Sequence, residues 1–191
     1  LLRSPDNDIL LSILAQIKLS KRDFEASQKI VSKISKIGRN PAFAAYLSGR
    51  SLQAQGDYKA AIENYQQALT INSGLGRALE GLTTSYLRIG QEAKLLEYLK
   101  DFRSENPDNM MALSIMASVY GKRGDRAAAL ELLEQGLEQD ANWVNGYTAL
   151  ASNYRAAGDP DAALDSLERG LKALPESNLL KMLLASAHEK L

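Results

Sequence analysis

The sequence predicts an all-α fold of stacked helix pairs, a solenoid in which each unit packs on its neighbours. Three observations lead there. Gly56, Gly90, Gly124 and Gly158 stand 34 residues apart. Asp23, Asp57, Asp125 and Asp159 keep the same period, with only Gln91 breaking the column, and Tyr86, Tyr120 and Tyr154 form another, as do Ala61, Ala129 and Ala163. Between the glycines, apolar residues recur at helical spacing, as in Leu79, Leu82 and Tyr86 and then Leu95, Leu96, Leu99 and Phe102. A fixed period of this length marks a repeat array. The repeats fall at 8–41, 42–75, 76–109, 110–143 and 144–177, with no insertion or deletion between them.

Each repeat divides into two helices for local reasons. The glycine ends the first helix by taking the left-handed conformation after its last turn. The aspartate that follows caps the second helix with its side-chain oxygen. Asp159-Pro160 is the clearest instance, since proline suits the first helical position. In repeat 8–41 Arg22 replaces the glycine, while Asp23 and Phe24 preserve the turn signal. Pro107 and Pro175 end second helices, in the same column as Pro5. Ala61, Ala129 and Ala163 are small because two helices joined by a short turn cross closely there.

The ends read as cut from a longer array. Residues 1–7 are expected to be the tail of a preceding repeat, because Pro5-Asp6-Asn7 aligns with Pro107-Asp108-Asn109. Residues 178–191 are expected to form a terminal half-repeat helix. Its Leu179, Leu180, Met182, Leu183, Leu184 and Leu191 are more apolar than the outward face of an end cap. Residues 8–191 are thus expected to form a single solenoid domain.

Composition narrows the function. The chain carries 23 Lys+Arg against 23 Asp+Glu, a formal charge of +0 that gives no global attraction to nucleic acid. No apolar run approaches the ~20 residues of a membrane helix, so no membrane insertion is expected in this segment. There is no cysteine and one histidine, which removes thiolate chemistry and leaves no readable triad or zinc site. The glycines are single helix stops, not a phosphate-cradling cluster. His188 reads as a packing or surface residue, Trp143 as buried or packed between repeats, and Glu131, Glu134 and Glu138 as a solvated face. The chain is expected to be no enzyme, with no catalytic residue, no metal and no cofactor.

Taken together, these columns resemble the tetratricopeptide repeat (TPR) family. The family pattern appears as Tyr147, Leu150, Ala151, Tyr154, Ala163, Leu167 and Pro175, and again as Leu113, Met116, Ala117, Tyr120, Ala129 and Leu133. Repeat 42–75 is looser, with Ala45 for the aromatic and Ser48 for the leucine, yet it keeps Gly49, Ala61, Tyr65 and Ala68. The resemblance covers essentially the whole chain. It implies a right-handed superhelical α-solenoid of five full repeats plus an extra terminal helix. It further implies a scaffold that binds a peptide or extended partner segment on the concave surface lined by the first helices.

The stripe expected to face that groove is Tyr46, Arg50, Arg77, Glu80, Thr84, Arg88, Ser114, Ser118, Lys122, Asn145, Thr148, Ser152 and Arg155. Five cations against one acid point to a partner of acidic character, since guanidinium forks pair well with carboxylates. The plain alternative is that these are solvated charges. The lysine–asparagine pairs of the chaperone-tail clamp are missing: the corresponding positions hold Ser12/Gln16, Tyr46/Arg50, Glu80/Thr84, Ser114/Ser118 and Thr148/Ser152. Two other readings stand beside the scaffold. One is a substrate-presenting or targeting arm of a larger enzyme or bacterial export assembly, the other self-association through exposed array ends. The Gln- and Ala-rich style resembles bacterial secretion and polysaccharide-export arrays, which leans the localisation toward the periplasm or cell surface, with the cytoplasm as alternative.

Overall fold

The computed structural model describes residues 8–188. The expectations placed on Pro5-Asp6-Asn7 and on Leu191 lie outside the described residues. Among the described residues eleven helices follow one another: α1 (Asp8–Ser20), α2 (Phe24–Ile37), α3 (Pro41–Gln55), α4 (Tyr58–Ile71), α5 (Gly76–Arg88), α6 (Glu92–Glu105), α7 (Met110–Lys122), α8 (Arg126–Gln139), α9 (Val144–Ala156), α10 (Pro160–Ala173) and α11 (Asn178–His188). Among the described residues there is no strand. The fold is that of a TPR solenoid, two helices to each 34-residue repeat and one more at the end.

The turns form where the glycine column places them. Gly56 sits at φ 86°, and its N–H reaches back to Gln53 O, closing α3 in the left-handed conformation that glycine adopts without penalty. Arg22 occupies the equivalent position at φ 60° as the one non-glycine with positive φ among the described residues. Asp23, Asp57, Asp125 and Asp159 each accept a hydrogen bond from the backbone N–H three residues on, at Ala26, Ala60, Ala128 and Ala162. Such caps stabilise a helix by about 1 kcal/mol each. Pro160 stands in the first turn of α10, as its missing N–H permits.

The chain forms two compact units, one running to Leu95 and one from Leu96, with the boundary inside α6. In the first unit α1 packs on α2, α2 on α3, α3 on α4 and α4 on α5, and the first helices α1, α3 and α5 also meet in sequence. Its core includes Ala15, Leu19, Val31, Ile34, Leu47, Ala61, Tyr65, Leu69, Leu79 and Leu82. In the second unit α7 packs on α8, α8 on α9, α9 on α10 and α10 on α11. Its core joins Leu113, Ala117, Leu133, Trp143, Tyr147, Leu150, Leu167 and Leu180. Ala61, Ala129 and Ala163 are all buried at the hairpin crossings, as their size requires. Trp143 fills the space left by Gly136 and Gly146, whose absent side chains let the indole lie against both helices. His188 is exposed at the end of α11.

Apolar residues stand exposed on α1 and α11. On α1, Ile9, Leu10, Ile13, Leu14 and Ile17 share a face spaced three and four apart. On α11, Leu179 and Met182 are exposed while Leu180 is fully buried.

Candidate functional site

The first unit holds a polar cleft of about 400 Å³ lined by Tyr46, Arg50, Gln53, Tyr65, Arg77, Glu80, Gly81 and Thr84. Five of these are residues of the stripe drawn from sequence. They meet because residues four apart on one helix face lie above one another, and because α3 and α5 are neighbouring first helices. Arg50 lies over the Tyr46 ring, 5.9 Å from its centroid, within range of a cation–π contact. Tyr46, the first residue of the stripe, does not stand open to the groove. It is buried, wedged between Phe43 at 5.4 Å and Tyr65 at 6.2 Å between ring centroids, so the cleft meets only part of its ring. Arg77, Glu80 and Thr84 are exposed along α5.

The cleft floor comes from residues that the stripe leaves out. Tyr65 belongs to α4, yet its ring passes between α3 and α5 where Gly49 and Gly81 have no side chain to block it. Its hydroxyl donates to Gln53 Oε1 at 2.7 Å. Burial, and after it the neighbouring Tyr46 phenol, pushes the Tyr65 hydroxyl well above the ordinary tyrosine range, so it remains a donor at neutral pH. A glycine in each of two adjacent first helices, facing one second-helix aromatic, is the sequence signal for this crossing.

The second unit holds a cleft of about 410 Å³ between α9, α10 and α11, mostly apolar. Thr148, Ser152 and Arg155 of the predicted stripe line it, together with Pro160, Ala163, Leu164 and Leu167 of α10 and Leu183, Ser186 and Ala187 of α11. Arg155 and Ser152 are exposed at its mouth. Arg88, Ser114, Ser118, Lys122 and Asn145 belong to neither cleft. Ser114 Oγ turns back to Met110 O at 3.0 Å, which uses its hydroxyl within its own helix.

Elsewhere in this unit a charged pair is engaged. Arg169 of α10 makes a two-pronged ion pair with Glu134 of α8, both contacts at 2.8 Å, and its hydrogen bonds hold the Glu134 carboxyl below the usual carboxylate range. Glu134 is therefore part of a repeat-to-repeat tie on the outer helices. Among the described residues no three His, Asp or Glu side chains gather as a metal site, and no helix is long and apolar enough to cross a membrane.

Comparison with known proteins places these features. Three family models, each described as tetratricopeptide repeat, match residues 42–75, 110–135 and 144–187. The photosystem I assembly protein Ycf3 of Synechococcus sp. (strain CC9311) is 32% identical over 82 residues, which are 41% of this chain and 47% of that protein. The lipopolysaccharide assembly protein B of Escherichia coli (strain K12) is 28% identical over 94 residues, 49% of this chain and 24% of that protein. The matched stretch thus spans less than half the length of either relative. Among solved structures, TTC0263, a thermophilic TPR protein of Thermus thermophilus, superposes with TM-score 0.63 at 21% identity over 94% of this chain and 98% of its own. YrrB, a TPR protein with an unusual peptide-binding site, does so with TM-score 0.56 at 20% identity over 97% and 93%. The period, the capped glycine turns, the helix pairs and the three matched segments agree: this chain is built of tetratricopeptide repeats.

Proposed function

We propose that the chain is a protein-interaction scaffold whose α3–α5 cleft binds an acidic, extended segment of a partner protein. The observation that carries this reading is the convergence of Arg50 and Arg77, from two neighbouring first helices, on one cleft in which Glu80 is the only acid among the described residues. A carboxylate entering there gains charge-assisted hydrogen bonds from two guanidinium groups. The part of the Tyr46 ring that meets the cleft adds apolar contact beside them. A peptide-binding site on YrrB, which shares the fold, supports the same use of this architecture. The assembly roles named for Ycf3 and lipopolysaccharide assembly protein B agree with a scaffold, and the latter supports a place in a bacterial envelope system. The reading assigns the chain no catalytic step.

Fluorescence anisotropy with labelled peptides rich in Asp and Glu, against Lys-rich controls, tests it. The acidic peptides bind, more weakly as salt rises. Arg50→Glu with Arg77→Glu abolishes binding without changing helicity, whereas Arg88→Glu, outside the cleft, leaves it intact. Normal binding by the double variant overturns the assignment.

A second reading, self-association, is favoured by one observation, the exposed aliphatic face of α1 at Ile13, Leu14 and Ile17. Apolar surface of this kind gains by being covered.

A further inference from the structure

We propose that the cleft between α9, α10 and α11 takes an aliphatic side chain of a partner segment while the adjacent carboxylate of that segment docks on Arg155. The proposal rests on the scaffold reading but uses a cleft separate from Arg50 and Arg77.

The cleft is formed by α9, α10 and α11, with α11 packed on α10 as α9 is on α8. Between α7 and α9 the first helices come close at Gly121, where a Cβ would stand 2.8 Å from Asn153 Oδ1. One 34-residue period later the same two positions hold Arg155 and Ala187, which both line the cleft. The space left open is floored by Ala151, Ala163, Leu164, Leu167, Leu183 and Ala187. Its volume of about 410 Å³ lies within the range of small-ligand pockets, which are mainly apolar with a few placed polar groups.

Among the described residues, Arg155 is the only ionisable one lining the cleft. Among the described residues its guanidinium has no ion-pair or hydrogen-bond partner, whereas Arg169 is held by Glu134 and Arg126 by Ala156 O. An apolar floor under one unpaired cation is complementary to an aliphatic group beside a carboxylate. A lysine or arginine next to the aliphatic group meets like charge at the mouth. The polar residues Thr148, Ser152 and Arg155 run along α9 at spacings of four and three, a rise of about 6 Å and 4.5 Å. The Thr148 and Ser152 hydroxyls beside Arg155 offer hydrogen-bonding groups that a polypeptide's amides can meet and a free alkyl carboxylate cannot, which favours a polypeptide.

The test uses the whole chain, ¹⁵N-labelled, and four capped peptides in a Gly-Ser frame with Leu-Glu, Leu-Lys, Ser-Glu or Ser-Lys at the centre. The Leu-Glu peptide shifts amides near Ser152, Ala163 and Ser186 saturably, and binds at least about tenfold more tightly than the other three, a difference of about 1.4 kcal/mol. Arg155→Glu moves the preference to Leu-Lys, and Arg155→Gln removes the discrimination between the two. Ser186→Phe fills the cleft from the α11 wall and abolishes binding while circular dichroism stays native. Arg50→Glu with Arg77→Glu leaves this peptide's binding unchanged, which separates the result from the α3–α5 cleft. Equal shifts with all four peptides overturn the proposal, as does indifference to Arg155→Glu. Shifts caused by decanoate and by no peptide overturn it too, assigning the cleft to a free alkyl carboxylate.

Discussion

Tyr65 donates its hydroxyl to Gln53 Oε1 at 2.7 Å, so a residue of a second helix reaches the floor of a cleft built by first helices. Tyr65→Phe is expected to cost about 1 kcal/mol, the net worth of one such hydrogen bond. The same burial raises the phenol's pKa, so the folded state disfavours the phenolate. The sign follows: the contribution is complete below the unfolded tyrosine value of about 10 and is lost as pH rises above it, because the unfolded chain then ionises and the folded one does not. Ultraviolet titration should show a phenol that ionises well above the ordinary tyrosine range, and this late component should vanish in Tyr65→Phe. A late component that persists in Tyr65→Phe, or is absent from the native protein, contradicts this.

Gly81 matters through the same ring. A Cβ added there falls inside the van der Waals envelope of Tyr65, and one added at Gly49 stands 2.8 Å from its Cδ1. Gly81→Ala is therefore expected to destabilise by about 1–3 kcal/mol, as overpacking does, although alanine is the better helix former. Tyr65→Leu in that background should restore part of the loss, a coupling that thermal melts of the four-member cycle measure. Additive effects would mean that the ring and the glycine do not meet.

Most of the fold was legible because its determinants are local. The left-handed turns at Gly56, Gly90, Gly124 and Gly158 and the aspartate caps repeat with the sequence period, and each acts within a few residues. What was legible of the stripe is which of its side chains share a helix face. Tyr46, Arg50, Arg77, Glu80 and Thr84 do share a cleft, since a helix face is a matter of spacing. The burial of Tyr46 was hidden, because it depends on Phe43 and Tyr65 packing against it. Gln53 and Tyr65 escaped as well. Their roles arise from a contact between two helices, twelve residues apart in sequence, which no single-helix pattern contains. The second cleft was missed for a related reason: its walls come from α9, α10 and α11 together, and the pattern along one helix does not show which side chains of the next helices close on it.

Arg22 is the one turn residue that breaks the glycine column within the left-handed region. Its φ of 60° is adopted at a cost of roughly 1–2 kcal/mol for a residue with a Cβ. Two effects oppose a full recovery on replacement. The Arg22 guanidinium lies 6.0 Å from the centroid of the Phe24 ring, and glycine gains entropy in the unfolded chain. Arg22→Gly is therefore expected to stabilise the first unit by about 0.5–1 kcal/mol, read as a shift in the denaturant midpoint with unchanged slope. Arg22→Ala, which keeps the Cβ and loses the ring contact, should destabilise. An equal response to glycine and alanine would remove backbone conformation as the cause.

The exposed face of α1 gives the last expectation. Ile13 is 49% exposed, Leu14 41% and Ile17 44%, while Ala15 and Leu19 on the opposite side are buried in the first unit's core. Charges placed on the exposed side should thus leave the core intact: Ile13→Glu with Ile17→Lys adds an i, i+4 pair that favours helix by a few tenths of a kcal/mol. Melting temperature should stay within a degree or two. Association should respond instead, because apolar stripes of this length are covered when a partner is present. In a concentration series followed by light scattering, the native chain should gain apparent mass and the double variant should hold a constant mass. A native chain that stays monomeric throughout would remove self-association through α1. A variant that associates as the native chain does would place the contact elsewhere, and Leu179 and Met182 on α11 are then the next residues to charge.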